Sequence, residues 1–425
     1  MISVNGINNL DYDTIAVDEN WNDCEDTELI MHTIHAYPAK FPAFMASKAF
    51  AYAKSEGVNI GKVADIFCGC GTVALEAKNH CYQFWGCDIN PVATLIAKAK
   101  SNDYERLIFE QYYSRILEKY GEIELAPDVY EKANERLRYW FEEKTFCELL
   151  KIYMAIGDVV IEETYLEAFR CIFSSILKAA SKWLNKSIKP QVDPSKQEIN
   201  VLKKFQSQCC KFIRAINEIE ETDTNIEINC ENFLDGDNLP HVDLIVTSPP
   251  YVTSYEYADL HQLSSLWLGY VDDYRELRKG SIGSVYNSND FIIDFNKLNE
   301  TGKSIVKSLQ KSAKAVSKIK SVARYFVDMQ DAVEKCSRML NDNGMVFFVV
   351  GDTEYKGVKI QNSKHLIEAM ESNGYRDIKI AKRTISKGIC VPYRDEKGKF
   401  STDKSKRKVY HEEFIVEGGK VWIRF

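Results

Sequence analysis

The stretch Val63-Ala-Asp-Ile-Phe-Cys-Gly-Cys-Gly-Thr72 decides the fold. A short apolar run ends in a turn that contains Gly69 and Gly71, and a helix-forming segment follows the turn. Glycine adopts backbone conformations that a side chain forbids, so the backbone of such a turn can approach a ligand closely. The stretch therefore predicts a buried strand, a ligand-binding turn and a helix, in this order.

The same pattern continues along the chain. Apolar runs typical of buried strands occur at residues 84–89, 242–247 and 344–352, with helical segments between them. Alternating strands and helices indicate a parallel sheet with helices on both faces. The sequence predicts an α/β fold, a doubly wound Rossmann-like sheet that two antiparallel strands close near the end of the chain. From residue 103 to residue 225 the pattern is long and helical, which predicts an inserted, mainly helical domain.

Composition excludes several protein classes. The twelve cysteines include no C-x-x-C pair and the seven histidines no H-E-x-x-H, so the sequence predicts no metal site. Scattered thiols are typical of a reducing cytosol, and the first residues lack the pattern of a signal peptide. The longest apolar run, residues 345–350, is far shorter than the ~20 residues of a membrane helix. We expect a cytoplasmic protein that contacts no membrane.

Two aspartates and an asparagine accompany the glycine turn. Asp88 ends the next strand, where a carboxylate can accept hydrogen bonds from ribose hydroxyls, and Asn90-Pro91 follows it. Asp65 precedes the turn, where its charge would repel a pyrophosphate but favour a sulfonium or ammonium group. Gly-x-Gly-x-x-Ala also occurs in dinucleotide-dependent dehydrogenases, which leaves that alternative open.

A second motif, Ser248-Pro-Pro-Tyr251, follows another buried strand. Two prolines remove two backbone donors and stiffen the chain, which leaves carbonyl and hydroxyl oxygens as acceptors beside an aromatic ring. Acceptors can orient an exocyclic amino group while the ring stacks on a planar base. The alternative is a proline-rich loop that only ends the strand.

Together these segments resemble the S-adenosylmethionine-dependent DNA amino-methyltransferase family, which modifies cytosine N4 or adenine N6. The resemblance lies in His35-Ala-Tyr-Pro-Ala-Lys-Phe-Pro42, Asp65-Ile-Phe-Cys-Gly-Cys-Gly-Thr72, Asp88-Ile-Asn-Pro91 and Ser248-Pro-Pro-Tyr251. Serine in the last motif is typical of cytosine-N4 enzymes. Ile66 departs from the family, which often has proline there. The match covers about three quarters of the chain, and residues 103–225 resemble nothing in it.

The resemblance implies a class I methyltransferase fold with S-adenosylmethionine as cofactor. Residues 1–102 would form an N-terminal arm and the cofactor half, residues 226–425 the catalytic half, and residues 103–225 a target-recognition or partner domain. The catalytic residues would be Ser248, Pro249, Pro250 and Tyr251. The cofactor-binding residues would be Lys40, Phe41, Asp65, Phe67, Gly69, Gly71, Thr72, Asp88, Asn90, Glu231 and Asn232. The substrate would be double-stranded DNA with a flipped target base.

One negative observation bears on the chemistry. Cytosine-carbon-5 methylation uses a cysteine nucleophile, which in that family follows a proline. None of the twelve cysteines follows a proline. The sequence therefore favours methylation of an amino group.

The charge of −7 hides an uneven distribution. Residues 275–408 carry 28 basic and 16 acidic side chains, net +12, which leaves 27 basic and 46 acidic elsewhere, net −19. A basic helix is predicted at residues 301–327, with an apolar back and a face suited to phosphates: Lys303, Lys307, Lys311, Lys314 and Lys318. A basic loop is predicted at residues 376–408, where Arg383, Lys387 and Arg394 would contact DNA. The alternative is a solvated surface.

These observations favour a cytosine-N4 DNA methyltransferase of a restriction-modification or defence system, with a cognate restriction endonuclease as a possible partner. Methylation of adenine N6 or of an RNA amino group is the nearest alternative. A non-catalytic, cofactor-binding DNA-binding subunit and a dehydrogenase are the alternatives from other classes.

Overall fold

The computed structural model describes the chain except residues 5, 8–9, 23–27, 221, 253–255, 289, 313–314, 386–392, 395–399, 402, 404–406, 409–411 and 421–425. Its strands are β1 (Ile2–Ser3), β2 (Lys62–Asp65), β3 (Gln83–Asp88), β4 (Ile226–Cys230), β5 (Val242–Thr247), β6 (Leu340–Val350), β7 (Thr353–Tyr355), β8 (Val358–Ile360), β9 (Arg376–Thr384), β10 (Tyr393–Arg394), β11 (Phe400–Ser401), β12 (Arg407–Lys408) and β13 (Glu412–Gly419).

Eight of these strands form one sheet in the order β1-β9-β13-β6-β5-β2-β3-β4. Strands β4, β3, β2, β5 and β6 run parallel, whereas β13 is antiparallel to both β6 and β9. Strand β2 is central, and the chain winds outward from it in both directions. The predicted doubly wound Rossmann-like sheet is confirmed, as are the two antiparallel strands that close it.

The helices are α1 (Ala43–Ser55), α2 (Thr72–Asn79), α3 (Pro91–Ser101), α4 (Arg106–Glu122), α5 (Glu135–Trp140), α6 (Glu143–Val159), α7 (Glu163–Ala180), α8 (Val201–Ile216), α9 (Tyr257–Leu260), α10 (Gln262–Trp267), α11 (Glu300–Ser312), α12 (Val316–Met339) and α13 (Asn362–Ser372). Within the described chain, no helix is both long and apolar enough to cross a membrane.

Helices cover both faces of the sheet. In β6, Phe348 packs into the core under α11, α12 and α13, whereas Phe347 packs into the core under α1 and α2. Both rings are fully buried, and burying such a side chain stabilises the fold by ~1.5–3 kcal/mol. Because residues 345–350 of β6 are buried on both faces, their sequence is continuously apolar, as in a parallel strand with helices on both sides. The alternation of apolar and polar residues that marks a half-exposed strand is absent from them.

Residues 103–225 are helical, as predicted, and α4, α6, α7 and α8 pack around one core. This core continues into α3, through Leu95 and Ile96, and into α10, through Leu263 and Trp267. The helical insertion therefore shares its core with elements that flank the sheet. Its role as a recognition or partner domain stays a prediction.

Two predictions about the basic part of the chain are wrong. Residues 301–327 do not form one helix, because α11 ends at Ser312 and α12 begins at Val316. Val316, at the start of α12, is 64% exposed, although an apolar back for the predicted helix would bury it. The sequence predicts residues 376–384 both as a closing strand and as the start of a basic loop; they form the strand, β9, which pairs with both β13 and β1, so the loop prediction is wrong there.

Candidate active site

The glycine turn lies between the end of β2 and the start of α2. Gly69 and Gly71 have φ angles of 51° and 74°, in the left-handed region that favours glycine. A Cβ atom on Gly71 would lie 2.6 Å from the Cα of Ala97, so α3 approaches the turn too closely for any side chain. At position 69 an added Cβ atom would be 3.7 Å from the Tyr37 ring, which is an ordinary contact distance. Glycine is needed there for its positive φ angle and not for lack of space.

Asp88, at the end of β3, holds the glycine turn in place. Its Oδ2 accepts a hydrogen bond from the Gly69 amide (2.9 Å), and its Oδ1 accepts one from the Asn90 amide (2.9 Å). Burial raises the pKa of Asp88 to about 6, against the two hydrogen bonds that lower it. The carboxylate thus both orders the turn and remains an acceptor, because each oxygen has a second lone pair.

Asp65 joins the glycine turn to the strand that carries the Ser-Pro-Pro-Tyr motif. The Thr247 hydroxyl, at the end of β5, donates to Asp65 Oδ1 at 2.6 Å, and the Phe67 amide donates to the same oxygen at 3.1 Å. Burial raises the pKa of Asp65 to about 7. The two predicted motifs therefore meet at the carboxyl edge of adjacent parallel strands, where ligands bind in this class of sheet.

The raised pKa of Asp65 has a consequence for stability. The folded state keeps the proton to about pH 7, whereas the unfolded state releases it near 3.8, so the free energy of unfolding should fall as pH rises through this interval. The expected decrease is at most ~1.4 kcal/mol per pH unit. Asp65→Asn retains an oxygen for Thr247 but cannot ionise, so urea unfolding without ligand at pH 5, 6 and 7 should give a flatter profile. Asp88 is ionisable in both proteins, and its negative charge is one of the causes that raise the pKa of Asp65. Equal slopes would contradict the assignment.

The Ser248-Pro-Pro-Tyr251 segment leaves the sheet directly after Thr247. The Ser248 hydroxyl donates to the Val349 carbonyl of the neighbouring strand at 2.9 Å. Since its proton is used there, the lone pairs of this oxygen are the groups available to a ligand, and they can only accept. The hydroxyl is thus set as an acceptor, as the motif predicts.

Tyr251 is anchored by a buried charge pair. Its hydroxyl donates to Glu413 Oε1 at 2.8 Å, and the Arg383 guanidinium lies 2.7 Å from Glu413 Oε2. Burial raises the pKa of Tyr251 well above its ordinary value, and the Glu413 carboxylate raises it further. A Cβ atom on Gly351 would lie 2.9 Å from the Tyr251 ring, so Gly351 leaves room for this ring beside the end of β6.

This geometry corrects one predicted DNA contact. Arg383 is only 2% exposed and bound to Glu413, so it cannot contact a phosphate on the surface. Lys387 lies outside the described residues, as does Lys314. The backbone of Arg394 lies in β10, but its side chain is outside the described part of the structure.

The remaining predicted lysines lie on two helices. Lys303, Lys307 and Lys311 follow one another at intervals of four on α11, above the buried Ile305, Val306 and Leu309. Lys307 and Lys311 are exposed, and Lys303 pairs with Glu300 at 2.6 Å. Lys318, on α12, is half-buried, and burial lowers its pKa. The amphipathic character predicted for this region is thus found on α11.

Four other predicted residues lie around the edges of the site. The Glu231 amide donates to the Asp88 carbonyl at 3.1 Å, which brings Glu231 beside Asp88. Asn232 is engaged in its own turn, with Asp235 at 3.1 Å. Lys40 forms an ion pair with Glu28 at 2.5 Å, and Phe41 packs against the core under α1.

Sequence reasoning missed two side chains at the glycine turn, His261 and Tyr257. Tyr257 stacks on Tyr37, with ring centroids 6.4 Å apart. Asn90 Nδ2 donates to His261 Nδ1 at 2.6 Å, while Asn90 Oδ1 caps α3. Burial lowers the pKa of His261 to about 3, which keeps its ring neutral. Neither residue belongs to a local sequence motif. The tertiary fold of the segment after Tyr251 brings both side chains to the glycine turn.

The residues of this edge fit S-adenosylmethionine. Thr72 Oγ1 and His261 Nε2 are buried atoms without a hydrogen-bond partner among the described residues, so both can serve a polar ligand. Among the described residues, no cation contributes to the pKa shift of Asp65 or of Asp88. This suits a sulfonium beside Asp65 and ribose hydroxyls on Asp88. Within the described chain, no group of three or more His, Cys, Asp or Glu residues could hold a metal ion.

Comparison with known proteins gives two sequence matches. Residues 51–169 match the profile of the D12 class N6 adenine-specific DNA methyltransferase family. The chain is also 26% identical to the Type II methyltransferase M.MvaI of Kocuria varians over 372 residues, which cover 79% of this chain and 80% of that relative. Both matches support a DNA methyltransferase, and the family match indicates S-adenosylmethionine as its cofactor, in agreement with the sequence.

Solved structures give more distant likenesses. An S-adenosylmethionine-dependent O-methyltransferase of Thermotoga maritima is 8% identical with a TM-score of 0.30, over 89% of this chain and 66% of that chain, just under two thirds. An S-adenosylmethionine-dependent methyltransferase of Methanosarcina mazei is 9% identical with a TM-score of 0.28, over 85% and 92% of the two chains. Likenesses this weak do not bear on the function.

Proposed function

We propose that this protein transfers a methyl group from S-adenosylmethionine to the exocyclic amino nitrogen of a base in double-stranded DNA. The hydrogen bond from Thr247 to Asp65 is the observation that carries the proposal, because it fixes the amino-binding motif beside the cofactor turn. A dehydrogenase needs no such motif, and a subunit that only binds DNA has no use for it.

Ser248 and Pro249 orient the amino group. The Ser248 oxygen, which donates its proton to Val349, accepts one amino hydrogen, and the Pro249 carbonyl accepts the other. Both hydrogen bonds draw the amino group out of conjugation with the ring, so its lone pair points toward the methyl donor. The methyl group would come from bound S-adenosylmethionine, so that the N–C bond would form as the C–S bond breaks, and the proton that the nitrogen loses would leave to solvent through the hydrogen bond to Ser248. No covalent enzyme intermediate is required, and catalysis comes from orientation and electrostatics.

Tyr251 supports the flipped base. Its ring provides a flat apolar surface on which a base can stack, and the Glu413–Arg383 pair fixes its hydroxyl. An anchored ring loses little conformational freedom when the base arrives, which strengthens the stacking.

Asp88, Gly69 and Thr72 bind the cofactor. When bound, S-adenosylmethionine supplies an electrophilic methyl group on a positively charged sulfur. Asp88 accepts from ribose hydroxyls, the turn at Gly69 lets the backbone approach the ligand, and Thr72 offers its unpartnered hydroxyl. Glu231 and Asn232 lie beside Asp88 and would reach the adenine, while Lys40 and Phe41 would close the methionine end.

Two nitrogen atoms are candidates for methylation, cytosine N4 and adenine N6. Ser248 in the catalytic motif favours cytosine N4, by resemblance to the cytosine enzymes. The match to the D12 class favours adenine N6 at least as strongly. Methyl-labelled cofactor, mixed duplex DNA and digestion to nucleosides would separate them: N4-methylcytosine supports the first and N6-methyladenine the second. Label in neither nucleoside, or label only in RNA supplied in a parallel reaction, would refute DNA amino-methylation.

The α11 lysines would contact the DNA backbone. We expect Lys307→Glu with Lys311→Glu to weaken duplex binding and to lower the salt dependence of log K by ~0.9 for each phosphate that the variant no longer neutralises. Titrations at several salt concentrations measure both effects. A matched control carries the same charge change at Lys144 and Lys203, two exposed lysines on other helices of the helical insertion. An unchanged salt slope would mean that α11 is an ordinary solvated surface.

A restriction-modification role with a cognate endonuclease completes the proposal. It predicts that genomic DNA from cells that express the protein carries the modified base at one short sequence. Long-read sequencing of cells with and without the gene would detect it, and methylation without sequence preference would argue against this role.

A further inference from the structure

An open cleft of ≈ 890 Å³ lies where the helical insertion meets the segment that follows the catalytic motif. One wall comes from α5 and the turn before it, and the other from Leu266 and residues 272–275. The cleft lies outside the cofactor turn and the Ser248-Pro-Pro-Tyr251 segment. Its wall contains three arginines and two tyrosines: Arg136, Arg138, Arg275, Tyr139 and Tyr274.

Arg136 is held rigidly in this cleft. Its Nε donates to Gln262 Oε1 at 2.7 Å, and its guanidinium carbon lies 5.0 Å from the Tyr139 ring centroid and 5.5 Å from that of Tyr274. Stacking on aromatic rings fixes the plane of a guanidinium. Since Nε is already bonded, the two terminal nitrogens are the remaining donors, and together they form the fork that recognises a pair of acceptors.

The charge of the cleft does not suit a phosphate grip. Its three arginines are matched by three acids, Glu135, Asp272 and Asp273. Asp273 is committed to Arg275, with an N–O distance of 2.5 Å, and caps the 3-10 helix at Tyr274–Arg278. A rigid mixture of donors and acceptors is instead what base edges require, because guanine presents two acceptors in the major groove and cytosine presents an amino donor.

The cleft also has a fixed position relative to the candidate active site. Gln262, which is fully buried, accepts from both Arg136 and Trp140 Nε1, the latter at 2.9 Å. The preceding residue, His261, accepts from Asn90, two residues after Asp88. One dipeptide therefore ties the arginine to the cofactor edge, so a base bound in the cleft would stand at a set distance from the target base.

We propose that this cleft recognises base pairs that flank the target base, and that Arg136 determines specificity by binding the O6 and N7 atoms of a guanine in the major groove. The inference rests on the proposed function, since it names how the same DNA substrate is selected. It also gives the helical insertion a role, because α5 supplies the arginine.

The test is methylation of a duplex library with randomised flanks, followed by sequencing of the modified molecules. Arg136→Lys retains the charge but not the fork, and we expect the preference for guanine at one position to fall by about 5- to 150-fold. Methylation of duplexes that lack this guanine should fall far less than methylation of duplexes that carry it. Arg106→Lys is the control, because Arg106 lies on the same insertion but pairs with Glu110 on the surface of α4.

The outcomes are distinguishable. If the wild type methylates a defined sequence and Arg136→Lys keeps its full preference, the cleft inference is overturned while the proposed function stands. If the wild type methylates no duplex, the proposed function fails and the inference fails with it. Should Arg136→Lys prove unstable on thermal melting, the wild type decides the matter with duplexes that carry 7-deazaguanine at the preferred position, because this base lacks the N7 acceptor and should lose much of the preference. Full preference for the 7-deazaguanine duplex would overturn the inference.

Discussion

Tyr251→Ala should lower kcat/KM for DNA methylation by ~5- to 150-fold, because a base loses ~1–3 kcal/mol when its stacking partner is removed. S-adenosylmethionine binding should be retained, since the cofactor turn is held by Asp88 and Asp65 rather than by Tyr251. Steady-state methylation with labelled cofactor and calorimetry of cofactor binding measure the two quantities.

Tyr251→Phe is the matched control for this change. It keeps the stacking ring and removes only the hydroxyl that donates to Glu413. We expect a smaller loss than for Tyr251→Ala, because the stacking ring remains and Arg383 still compensates the charge of Glu413. Equal activity of Tyr251→Ala and the wild type would mean that the base binds elsewhere.

Arg383→Leu should destabilise the fold by ~3–5 kcal/mol, because it leaves the Glu413 carboxylate buried without its partner. Urea unfolding followed by circular dichroism measures the loss. The control is Arg376→Leu, which changes an exposed arginine on the same strand and should alter stability by less than ~0.5 kcal/mol.

A double variant makes this test sharper. Arg383→Leu with Glu413→Leu removes both charges, and replacing a whole buried pair is often nearly neutral, so much of the lost stability should return. If Arg383→Leu instead left the free energy of unfolding unchanged and weakened only DNA binding, Arg383 would be a DNA contact, as the sequence predicts. The buried pair with Glu413 would then not stabilise the fold.

The sequence predicts the positions of Asp65 and Asp88 at strand ends correctly, and this has a physical reason. The order strand, turn and helix places Asp65 and Asp88 at strand ends, and parallel strands end at one edge of a sheet. The hydrogen bond between Thr247 and Asp65 joins residues 182 positions apart. It follows from the parallel pairing of the two strands that carry them. Gly71 is also predicted from the sequence, as part of the glycine turn. The structure adds a second reason for it, because only glycine tolerates Ala97 so close.

Tertiary pairing explains the failures. Arg383 has the sequence context of a basic surface loop, but β9 pairs with β13, and this pairing sets Glu413 directly opposite it. His261 and Gln262 have no motif, and their roles follow from where the chain returns after residue 251. Spacing of three and four along residues 301–327 is compatible with one helix or two, and only the packing of α12 against the sheet reveals the break.

The most direct test of the central claim is a crystal structure of the protein with a non-transferable cofactor analogue and duplex DNA. We expect the analogue at residues 67–72 with its ribose on Asp88, and a flipped base stacked on Tyr251. Its amino nitrogen should lie within hydrogen-bond distance of Ser248 Oγ and the Pro249 carbonyl oxygen. A base that stays in the duplex, or an analogue bound away from the Gly69–Thr72 turn, would contradict the claim.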